Sequence, residues 1–187
     1  MGFSISWLAT PSDKKEIVLS ALGLAETNQR QSFPESARAG IALPTGWYVV
    51  WFDAPSPSAL KPEFLRMLSA STKIVACQIE EHAMVSTAAC WENGKEQWFI
   101  AHDAEDGVMS LDVVGNPPVF FDEVRAEMLQ LQDGRTDVDY VFDVPIMLAE
   151  RLVGFRHEAA FDENEEEMFF CSLATFGCIG SQCEQTC

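Results

Sequence analysis

The chain opens on an alternation. Ile5, Trp7 and Ala9 are separated by Ser4, Ser6 and Leu8, and a two-residue apolar period belongs to a strand with a buried face. Ser12 is a good helix N-cap, Ile17, Val18, Ala21 and Leu22 form an apolar stripe, and Gly23 is a stop. From 24 to 46 neither period persists. Asn28, Pro34, Gly40, Pro44 and Gly46 interrupt the segment, which reads as a long connection. Trp47 to Phe52 is apolar at every position, as in a central strand covered on both faces. Pro55, Pro57 and Pro62 lead into a short helix with Phe64, Leu65 and Leu68 on its buried side, and Lys73 to Glu80 reads as a strand.

The clearest local signal is Asn93-Gly94 between two strand-like runs, 83–92 and 95–102. Asn-Gly fills both left-handed positions of a type I′ turn and fixes a two-residue hairpin. That register sets Glu92 opposite Lys95, Trp91 opposite Glu96 and Ala89 opposite Trp98. Val85, Trp91, Trp98 and Ile100 then share one face, and Met84, Ala88, Cys90 and Phe99 the other. A further strand is expected from Val108 to Val114. Asn116-Pro117-Pro118 opens a helix to about Gln132, with Phe121, Val124, Met128 and Leu131 inward. Asp143, as N-cap, starts the last helix, which Gly154 stops. The pattern predicts one α+β domain over residues 1–157: a mainly antiparallel sheet of five or six strands with three or four packed helices. Residues 158–187 read as an acidic, Cys-rich tail.

Composition changes the picture in one respect. The 187 residues are 48% hydrophobic and 22% charged, ordinary for a globular domain, but the formal net charge is -17. The first fifty residues are neutral. Residues 101–157 carry twelve acids and four bases, and 158–187 carry seven acids and no base. Such a surface repels phosphate backbones and steers basic proteins, so neither nucleic acid nor an anionic membrane is an expected partner. No apolar run reaches the ~18 residues of a membrane span, and the opening residues have no basic n-region. A cytoplasmic location is expected, and no cofactor is implied.

Candidate chemistry is sparse. Glu81, His82, His102 and Asp103 could form a His–carboxylate metal site or catalytic cluster. Strand alternation sends the two imidazoles to opposite faces, which favours simple His–carboxylate pairs at a sheet end. Asp137 and Asp139, with Glu163, Glu165 and Glu166, offer carboxylates to a basic partner. His157 follows the last helix, whose dipole favours its charged form, with no constellation around it. Cys77 and Cys90 read as small buried hydrophobes. Cys171, Cys178, Cys183 and Cys187 could hold a metal, but their spacing lacks the tight C-x₂-C pair of zinc sites, and free thiols fit better.

At GWYVVWFD (46–53), VACQIEEHAM (75–84) and DVDYVFDVPIMLAERLVGFRH (137–157) the chain resembles a family of uncharacterised small bacterial proteins, over roughly residues 3–157. The resemblance implies no catalytic residue. In general type the chain is also similar to immunity proteins of bacterial toxin systems. The leading expectation is a non-enzymatic intracellular binding protein for a basic protein such as a toxin. The alternative is a metal-dependent hydrolase using the His–carboxylate cluster.

Overall fold

The computed structural model describes residues 2–158 and 168–176. Among the described residues nine strands form one sheet: β1 (Ser4–Pro11), β2 (Leu24–Gln31), β3 (Arg38–Ala42), β4 (Trp47–Phe52), β5 (Ile74–Glu80), β6 (Val85–Glu92), β7 (Lys95–Asp103), β8 (Asp112–Gly115) and β9 (Phe170–Thr175). Their order is β2-β9-β3-β4-β1-β5-β6-β7-β8, and every pairing is antiparallel. Four helices cover it: α1 (Lys15–Leu22), α2 (Pro62–Leu68), α3 (Phe121–Gln132) and α4 (Asp143–Val153). None is long and apolar enough to cross a membrane.

Alternation along the strands builds two cores, one on each side of the sheet. Trp7, Val49, Trp51, Cys77, Ile79 and Ile100 face α3 and α4, packing with Val124, Met128, Ile146 and Leu148. Leu8, Tyr48, Val50, Phe52 and Ile74 face α1 and α2, packing with Val18, Leu19, Leu65 and Leu68. Each large side chain buried this way contributes ~1.5–3 kcal/mol. β4 feeds both cores, as its unbroken apolar run predicts. Gly23 and Gly154 end α1 and α4 in left-handed backbone, at φ 66° and 82°.

The α+β class and the mainly antiparallel sheet match the sequence reading; the strand count does not. The expected connection at 24–46 contains β2 and β3. β2 is a polar edge strand with only Leu24 buried, so it has no apolar period to read. Gly40 is not a chain breaker: a Cβ there would collide with the Tyr48 hydroxyl, which reaches across to Glu26 Oε1 at 2.9 Å. The expected tail supplies β9, which pairs with both β2 and β3. Two caps also differ. Ser12 opens a short 3-10 turn, and its hydroxyl caps nothing. Asp143 turns to Arg156 at 3.1 Å, and the Phe142 N–H donates instead to Asp139 Oδ1 at 3.1 Å.

The hairpin turn forms as expected, with φ 55° at Asn93 and 70° at Gly94. Glu92 opposes Lys95 and Trp91 opposes Glu96, but a bulge at Gln97 shifts the rest, so Ala89 meets Phe99 and Cys90 meets Trp98. Gln97 Nε2 donates to the Glu92 and Lys95 carbonyls at 3.2 Å each. The bulge parts Trp91 from Trp98: Trp98 packs with Cys90 and Ile100 beneath α3 and α4, and Trp91 joins the other core with Phe99 at its edge. Both faces are apolar, so the pattern alone offered no reason to expect it.

Candidate functional site

The four residues of the predicted His–carboxylate cluster do not meet. His82 lies in the turn between β5 and β6, not in a strand, and is exposed. Its backbone N–H and ring Nδ1 both stand 3.1 Å from Glu80 Oε1. The Ser4 hydroxyl donates to the other oxygen of Glu80. That bond, with the His82 contacts, holds the Glu80 carboxyl below its ordinary range. Asp103 ends β7, where its carboxylate accepts from the Glu105 N–H at 2.9 Å.

His102 is fully buried at 0% exposure. Its Nδ1–H donates to the Ser110 carbonyl at 2.7 Å, and Nε2 meets Asp139 Oδ2 at 2.9 Å. A carbonyl only accepts, so Nδ1 carries a proton, and Nε2 is occupied by its contact with the carboxylate. With both nitrogens engaged, His102 has no lone pair for a metal or substrate. Asp139, at 10% side-chain exposure, contacts this imidazole through Oδ2 and accepts from the Phe142 N–H through Oδ1. Asp137 stays exposed and pairs with Arg135 at 3.0 Å, which holds its carboxyl below the usual range.

His157 forms the constellation that spacing hid. It is buried at 3% exposure, and neither ring nitrogen has a hydrogen-bond partner among the described residues. Burial pushes it below its ordinary range, against the opposing pull of Glu158 and Glu81. Its Nε2 stands 3.7 Å from Glu81 Oε1. One ligand atom each from Glu81, His157 and Glu158 fall within 4.8 Å of one another. The adjoining cleft, about 430 Å³, is lined by Gly2, Glu81, His82, Met84, Phe142, Asp143, Arg156 and Glu158. Arg156 binds Asp143 at 3.1 Å, Glu150 at 3.4 Å and Glu158 at 2.9 Å. Burial raises the Asp143 carboxyl despite this guanidinium. The cluster joins the end of β5 to the segment after α4, residues too far apart in sequence for any motif to reveal.

A second feature lies at one end of the strand order. β8 has no neighbour on its outer edge among the described residues, and all four of its residues are exposed. Val113 and Val114 lie within it, the latter 55% exposed, and Val108 and Met109, 62% exposed, precede it in the chain. A cleft of about 610 Å³ runs from Val108 and Met109 to the end of α3 and Arg135. Residues 103–139 carry ten acids against Arg125 and Arg135, and Glu105, Asp106, Asp112, Asp122 and Asp133 are exposed.

Cys77 and Cys90 are buried free thiols, as expected. Burial raises both, Cys90 to about 11. Cys171 is a half-buried free thiol in β9. Cys178, Cys183 and Cys187, and Glu163, Glu165 and Glu166, lie outside the described residues. Comparison of the chain with protein-family models, curated proteins and solved structures finds no match.

Proposed function

We propose that this chain is a non-enzymatic binding protein for a basic protein, in the manner of an immunity protein, and that the partner adds an extended basic segment to the β8 edge. The observation that carries the reading is the juxtaposition at β8: an open strand edge, exposed valines along it, and acids around it. Main-chain bonding to an edge gives affinity, and alternate side chains give specificity. Natural edges are usually blunted by Lys, Pro or cover. This one is flanked by valine and aspartate, which suits a strand alternating lysine with apolar residues. Charge attraction of this kind speeds encounter and weakens with salt.

The test uses the full chain and two labelled synthetic peptides, one alternating Lys with Val and one alternating Glu with Val, followed by fluorescence anisotropy. The basic peptide is expected to bind, with affinity falling about tenfold or more between 50 and 300 mM NaCl as the charges are screened. The acidic peptide is expected not to bind. Val114→Lys, at an exposed edge position, is expected to weaken the basic peptide without changing the melting temperature. Equal binding of the two peptides, or indifference to Val114→Lys, overturns the reading.

A further inference from the structure

The His157 cluster belongs to neither the edge nor its partner. A buried polar atom without a hydrogen bond is uncommon and costs ~1–3 kcal/mol. His157 has two such nitrogens, and the nearest carboxylate, Glu81 Oε1, stands at 3.7 Å from Nε2, beyond hydrogen-bond length. Glu81 and Glu158 place carboxylate oxygens beside it, one within the cleft wall and one at its exposed rim.

We propose that Glu81, His157 and Glu158 bind a divalent first-row transition metal, with zinc as the reference ion. Imidazole and carboxylate together suit this class of ion. Ligand atoms ~2.0–2.2 Å from one ion in a tetrahedron stand roughly 3.3–3.5 Å apart. The Glu81 Oε1–His157 Nε2 distance of 3.7 Å is close to that value. Glu158, exposed, needs only a small side-chain swing to close the third position. Both carboxylates are already oriented from behind. The Phe3 N–H donates to Glu81 Oε2 at 2.8 Å, leaving Oε1 toward His157. Arg156 donates to Glu158 Oε2 at 2.9 Å, leaving the other oxygen available. The Phe3 ring lies edge-on to the His157 ring at 4.8 Å and fixes its plane. Outer partners of this kind hold metal ligands in place. With three protein ligands, a fourth position opens to the cleft, so water or a small anion can complete the shell.

The experiment titrates Zn²⁺ and Co²⁺ into the full chain and into a variant in which Cys171, Cys178, Cys183 and Cys187 are serine. Calorimetry reads stoichiometry, the melting temperature reads stabilisation, and the visible absorption of Co²⁺ reads geometry. One ion per chain is expected in both proteins, with a raised melting temperature and a tetrahedral cobalt spectrum free of thiolate charge transfer. His157→Phe is expected to abolish binding. Glu158→Gln, on an exposed side chain that leaves the fold intact, is expected to weaken it at least tenfold. Binding lost with the cysteines, binding unchanged in Glu158→Gln, or absence of any melting shift with either ion overturns the proposal.

Discussion

Two histidines are buried beneath this sheet, and they are treated oppositely. His102 engages a carbonyl with one nitrogen and a carboxylate with the other, and through them it ties β7 to the loop at Ser110 and to the segment entering α4. His157, almost as deeply buried, engages neither nitrogen among the described residues. Burial alone therefore says little about what a titratable residue does. Partners do: the imidazole with every bond made is part of the scaffold, and the one left open is where a ligand fits.

The contrast is most sharply tested by breaking the completed pair. Asp139→Ala removes the carboxylate that meets His102 Nε2 and the Phe142 N–H, and each buried polar group left unsatisfied costs ~1–3 kcal/mol. Denaturant unfolding is expected to show that loss, and a change below about 1 kcal/mol would mean the pair is not structural. His157→Phe points the other way. Without added metal it is expected to be neutral or stabilising by up to about 1–2 kcal/mol, because it removes two unsatisfied polar atoms. With zinc, the wild type is expected to overtake it.

The thiols repeat the contrast more gently. Burial raises Cys77 and Cys90 in the fold, whereas an unfolded thiol ionises near ~8.5. Their contribution to stability is thus complete below about pH 8.5 and falls as pH rises toward the folded value, about 11 for Cys90. Melting followed from pH 7 to 10 is expected to show the decline, and Cys77→Ala/Cys90→Ala to flatten it. The smallest effect belongs to Arg151. Its contacts with Glu123 at 2.9 Å and Glu127 at 3.1 Å are well exposed, and Arg151→Ala is expected to cost less than about 1 kcal/mol.

Much of the scaffold was legible because its residues carry their own period. β1, β4, β5, the Asn93-Gly94 turn and the stop at Gly154 are local events. β2, β3 and β9 were illegible for a physical reason: they are strands because of what they pair with, not because of their own pattern. The bulge at Gln97 has the same character, since either register buries apolar side chains. Of the candidate residues, Glu81 sits in a site, but its companions are His157 and Glu158 rather than His82, His102 and Asp103. No spacing rule joins the end of β5 to the residues after α4; only the folded sheet does.

The placement of β9 has a consequence for how the molecule is made. Translation delivers β2 and β3 early, yet the gap between them is filled by Phe170–Thr175. Until that segment leaves the ribosome, β3 presents an open flank and β2 lacks the strand it pairs with, held only by contacts such as Tyr48 and Lys15 to Glu26. Closure of that half waits for a segment far downstream of β3, and such long-range pairing is slow and exposed to misassembly. A nascent chain stalled before residue 170 is expected to hold the β4-β1-β5-β6-β7 portion together while leaving this slot vacant, a natural target for a chaperone.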